Sequence, residues 1–83
     1  MESNSVGSWI AFQREQSGIS QHTLSVQFGV NQSVIAKMEL GIRKITFIEL
    51  LRICDILNVD TKDLLDFVKQ SYNELRHGSL WQR

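Results

Sequence analysis

The segment SQHTLSVQFGVNQSVIAKMELG, Ser20 to Gly41, constrains this chain more than any other. Ser20 and Asn31 are residue types that cap helix N-termini, because a short side-chain oxygen accepts a hydrogen bond from a free backbone N–H. After Ser20, Leu24 and Phe28 fall on one helical face; after Asn31, Val34, Ile35 and Met38 do the same. Gly29 and Gly41 end the two runs, since glycine adopts the left-handed backbone that other residues resist. The pattern predicts two short helices joined by a tight bend.

The rest of the chain extends the helical reading. A first helix is expected from an N-cap at Ser8 to about Ser17, stopped by Gly18, with Ile10 and Arg14 turned inward. Thr46-x-x-Glu49 has the spacing of a capping box and opens a fourth helix. Its expected apolar set is Phe47, Leu50, Leu51, Cys54 and Leu57, with Ile53 on a flank. Asn58 and Asp60 break that helix, and Asp60 caps a fifth carrying Leu64, Leu65, Val68, Tyr72 and Leu75. Proline is absent and strand-type alternation is hard to find, so an all-α domain is expected in these 83 residues. The division expected is 8–68 for the domain and 69–83 for a C-terminal helix extension and tail.

Composition excludes several classes. Hydrophobic residues at 42% are too many for a disordered chain. No apolar run approaches the roughly 20 residues of a membrane span. MESNSVGSW has neither a basic start nor an apolar stretch, so no signal peptide is expected and the chain reads as cytoplasmic. The single cysteine, Cys54, has no disulfide partner and no metal-ligand spacing around it, and reads as a buried inert thiol. No catalytic constellation, phosphate loop, metal site or cofactor site is expected. His22 and His77 have no partner spacing and read as solvated. Nine basic residues balance nine acidic ones, which by itself counts against a protein that only coats DNA.

Two helices joined around a glycine match the helix-turn-helix arrangement. Ser25 is small where the helices cross most closely, and Leu24, Val30, Ile35 and Met38 supply apolar pegs beneath the bend. From about Ile10 to Phe67 the chain resembles the Cro/CI-type (XRE) helix-turn-helix regulators. The resemblance rests on Arg14, on Ile19-Ser20-Gln21-x-x-Leu24, on Phe28-Gly29-Val30 and on Gln32-Ser33-x-Ile35. It continues through Glu39-x-Gly41 and LLRICDILNVDTKDLL.

That resemblance implies a five-helix, lambda-repressor-like domain and a set of roles. Gln21 would lie against a DNA phosphate and against the first base-reading residue. Gln32, Ser33 and Lys37 would meet base edges or the groove wall; glutamine can bond adenine twice, and lysine suits guanine. Ala36 would touch a thymine methyl. Asn31, Arg43 and Lys44 would hold phosphates, which set register. Arg14 and Glu39 would form an ion pair bracing the first helix against the recognition helix. The chain departs from the family in having few arginines on this surface and Ser25 where alanine is commoner.

The expected function is a sequence-specific transcriptional regulator binding a palindromic operator as a homodimer. In size and layout the chain is similar to phage Cro proteins and to the controller proteins of restriction–modification systems, which implies control by its own concentration. Leu64, Val68, Tyr72, Leu75 and Trp81 are the candidate dimer contacts. Trp9 and Phe12 leave two readings open: one folds beneath a terminal segment, or the pair forms a surface for a protein partner. The competing function is a protein-interaction module, antitoxin-like or an adaptor, with DNA binding secondary or lost.

Overall fold

The computed structural model describes residues 5–76, with side chains through Glu74. Five helices follow in order: α1 (Val6–Gln16), α2 (Gln21–Phe28), α3 (Gln32–Leu40), α4 (Phe47–Leu57) and α5 (Thr61–Arg76). No strand occurs among the described residues, so the fold is all-α. No described helix is long and apolar enough to cross a membrane. The fifth helix runs without a break through the expected boundary at residue 68.

Local chemistry sets the boundaries. The Thr23 N–H donates to Ser20 Oγ at 3.0 Å. At α4 the capping box closes both ways: the Glu49 N–H donates to Thr46 Oγ1 at 3.1 Å, and the Thr46 N–H donates to Glu49 Oε1 at 3.0 Å. The Lys62 N–H donates to Asp60 Oδ1 at 3.0 Å, so Asp60 opens α5 as expected. The first helix begins earlier than expected, because Ser5 and not Ser8 is the cap; Ser5 Oγ accepts from the Ser8 N–H at 3.1 Å.

That earlier start draws Gly7 into α1 and lays it against α3. Gly7 is buried, and a methyl group at its α-carbon would overlap the backbone carbonyls of Met38 and Glu39. Only glycine permits the two helix backbones to come this close.

The core gathers Ile10, Leu24, Phe28, Ile35 and Met38 with Leu50, Ile53, Cys54, Leu57 and Leu64. Two expectations about α4 are corrected. Ile53 is 1% exposed and central, whereas Phe47 is 65% exposed and Leu51 borders on solvent. The buried seam is Leu50, Ile53, Cys54 and Leu57, spaced i, i+3, i+4, i+7. Phe47 has the right phase but sits one turn before that seam. Cys54 is buried as expected, and desolvation pushes its thiol pKa up.

The fifth helix uses one face inward. Leu64 enters the core, and Phe67 stacks on Trp9 with ring centroids 5.1 Å apart and planes at 18°. Trp9 is therefore half-buried under α5, and of the two aromatics whose placement was left open only Phe12 is exposed. Leu65 is 54% exposed. It shares the outer face of α5 with Val68 and Tyr72. Leu64, one of the candidate dimer contacts, is closed inside its own domain. Leu75, His77 and Trp81 lie outside the residues whose side chains are described.

Gly7→Ala is expected to lower stability by about 1–3 kcal/mol, since backbone must move to admit the methyl. Urea denaturation should show a lower midpoint with an unchanged slope.

Candidate nucleic-acid interface

The bend between α2 and α3 is built from backbone. Gly29 takes φ 92°, and the N–H groups of Gly29 and Val30 both donate to the Ser25 carbonyl, at 2.8 and 3.0 Å. Ser25 is 2% exposed, and its hydroxyl donates to the His22 carbonyl at 2.7 Å, so the polar group is satisfied where the helices cross. Asn31 occupies the N-cap of α3 but makes no side-chain capping bond.

With Ile35 and Met38 buried and Val34 packed on the core, α3 turns its opposite side outward. Gln32, Ser33 and Lys37 are exposed there and Ala36 is half-exposed. Lys37 lies about 140° round the helix from Gln32 and about 7.5 Å along it, with Ser33 and Ala36 between them. Leu40, 71% exposed, continues the same face. Sequence reasoning missed it, although its place four residues after Ala36 and three after Lys37 marks the face.

Behind this face stands a network of charged and amide groups. Arg14 Nε donates to Glu39 Oε2 at 2.7 Å and Nη2 donates to Oε1 at 3.2 Å. Arg14 Nη1 donates to the Ile19 carbonyl at 2.8 Å, tying in the α1–α2 connection. The Arg14 and Glu39 side chains are only 12% and 6% exposed. The hydrogen bonds that Arg14 donates to Glu39 are the main reason the Arg14 pKa is raised.

Gln21 Nε2 donates to Glu39 Oε1 at 2.9 Å. This differs from the expectation that Gln21 braces the first base-reading residue, Gln32. A carboxylate accepts only, so the amide's NH2 must face Glu39. One N–H and the carbonyl oxygen of Gln21 remain for a ligand.

The connector after α3 also differs from expectation. Arg43 Nη1 and Nη2 donate to Glu49 Oε1 and Oε2, at 3.1 and 3.0 Å, and Nη1 also donates to the Lys44 carbonyl at 3.1 Å. The guanidinium expected to hold a phosphate is thus turned on Glu49. Glu49 serves Arg43 and the Thr46 cap together, and its pKa falls to about 2, first because of the Arg43 hydrogen bond and next because of the Thr46 amide. Lys37 and Lys44 are exposed and make no ion pair among the described residues. No group of three His, Cys, Asp or Glu side chains is placed to hold a metal among those residues.

Two measurements follow. Arg14→Ala should destabilise the fold by roughly 3–5 kcal/mol by stranding the Glu39 charge, and Arg14→Met with Glu39→Met should be less harmful than either single change. The Glu49 carboxylate has a lower pKa folded than unfolded. Its stabilisation is therefore full above about 4.5, the ordinary glutamate value, and disappears as pH falls through about 2. Acid titration of Glu49→Gln should lack that component.

Residues 10–64 match the family model described as Helix-turn-helix, which covers more than half of the chain. No curated protein and no solved structure matches it. The matched span holds the bend, the outward face of α3 and the network behind that face, and the chain belongs to the Cro/CI-type (XRE) helix-turn-helix family of DNA-binding regulators.

Proposed function

We propose that this protein is a cytoplasmic, sequence-specific transcriptional regulator that binds a palindromic operator as a homodimer. The observation that carries the reading is the shared outward face of Gln32, Ser33, Ala36 and Lys37, on a helix whose other side is core. A helix of this width fits the major groove. There the Gln32 amide suits the N6/N7 edge of adenine, Lys37 suits guanine O6/N7, and the Ala36 methyl suits thymine; Ser33 suits either donor or acceptor edges. The remaining N–H of Gln21, with Asn31 and Lys44, would bond phosphates and fix register. Arg43 joins them only by giving up part of its bond to Glu49.

A single copy offers few cations, so its grip would be weak. The homodimer reading is supported by Leu65, Val68 and Tyr72, exposed together on one side of α5. A two-fold pairing through that stripe would set two recognition helices about 34 Å apart.

One observation favours a second reading. Phe12, 54% exposed, and Leu40 border an open hollow of about 380 Å³ that is also lined by Ser8, Ala11, Glu15, Gln21, Ala36 and Glu39. Its charged side chains include carboxylates and no cation, which suits a protein partner better than phosphate. In an antitoxin-like or adaptor protein this surface would be the working one.

Selection from random duplexes followed by gel shift separates the two readings. The regulator yields a preferred site, and Gln32→Ala or Lys37→Ala weakens it by about 1–3 kcal/mol, roughly five- to 150-fold. Because few phosphates are neutralised, the slope of log K against log salt should be shallow, about −2 to −4 for a dimer. An adaptor yields no preferred site. Sedimentation at tens of micromolar should give a dimer that Val68→Glu or Tyr72→Glu dissociates; a monomeric wild type would overturn the dimer.

A further inference from the structure

Arg52 is exposed on α4, away from the reading face of α3, yet it reaches back to the end of α2. Its Nη2 donates to the Phe28 carbonyl at 2.8 Å, and its guanidinium carbon lies 4.1 Å from the centre of the Phe28 ring. Phe28 is the last residue of α2 and is 4% exposed. Helix C-termini leave carbonyls without partners and carry partial negative charge, which a cation offsets. The last turn of α2 has no basic residue of its own, so Arg52 supplies that cation from another helix. The planar guanidinium can stack on a ring and donate in its own plane at once, which an ammonium cannot do in the same way.

The next residue is Gly29, where the chain turns, and four residues on is Gln32, where reading begins. Asn31 makes no side-chain cap, so the start of α3 takes its position from the bend and not from its own N-terminus. We infer that Arg52 is a positioning residue for DNA reading: by clamping the Phe28 ring and carbonyl it fixes the bend that aims Gln32 and Ser33. This inference rests on the operator-binding reading above. It assigns Arg52 no contact with DNA.

The test compares the full-length wild type with Arg52→Ala and with Ile53→Val. Ile53→Val loosens the core from the same helix while leaving the Arg52 bond to the Phe28 carbonyl in place. Binding is measured to the selected preferred duplex and to a random duplex across a salt series, under conditions where each variant is folded. Hydrogen exchange of the Gly29 and Val30 amides is measured alongside that of α4 amides. Arg52→Ala should weaken the preferred duplex about tenfold, the value of one good base contact. It should leave random-duplex binding and the salt slope unchanged, and should speed exchange at Gly29 and Val30 more than in α4. Ile53→Val should change neither the preferred affinity nor the ratio between bend and α4 exchange.

Arg52→Ala behaving like Ile53→Val would overturn the inference. Equal weakening of both duplexes with a shallower salt slope would also overturn it, by making Arg52 a phosphate contact. Should the wild type show no preferred duplex, operator reading fails, and the exchange ratio still decides whether Arg52 holds the bend.

Discussion

The third helix is held to α1 at Glu39 by two contacts of different kinds, and the aim of its outward face depends on both. On one side the backbone carbonyls of Met38 and Glu39 lie against Gly7, so close that no side chain can intervene. On the other, the Glu39 carboxylate receives Arg14 and Gln21. The first contact sets the distance between the helices, because backbone cannot be compressed. The second sets rotation, because a two-pronged guanidinium bond is directional. Since the carboxylate also carries Gln21, the start of α2 is indexed to the same point. Three helices therefore share one reference near the C-terminal end of α3, and the outward face that begins at Gln32 is aligned from it.

Much of this could be read from sequence where the cause is local. Ser20, Gly29 and Gly41 act on their own few residues of backbone, and Thr46 with Glu49 closes within one turn, so residue type and spacing suffice. What sequence hides is choice between equivalent local options and any partner far along the chain. Ser5 and Ser8 are equally good caps; the contact of Gly7 with α3 belongs with the earlier start, and that contact is tertiary. Phe47 and Ile53 are both apolar, and their burial depends on where α4 lies over α2, which periodicity alone leaves open by a turn. Arg43 resembles a phosphate ligand until Glu49, six residues on, is seen to face it. Arg52 gave no signal, because its partners at Phe28 lie 24 residues earlier.

Among the described residues charge is distributed by residue type, which bears on how a chain with nine cations and nine anions can still serve as a DNA-binding regulator. Arg14, Arg43 and Arg52 each bond to the protein's own carboxylates or carbonyls. Glu39 and Glu49 are correspondingly neutralised, and the lysines at 37 and 44 are left facing solvent. Among the described residues, guanidinium groups close the frame, and the ammonium groups at 37 and 44 face outward. These two cations differ in chemical fate: guanidinium stays charged under nearly all conditions, whereas an amine can be acylated and lose its charge. Acylating Lys37 and Lys44 would therefore remove positive charge beside α3 while leaving the bonds of Arg14, Arg43 and Arg52 in place.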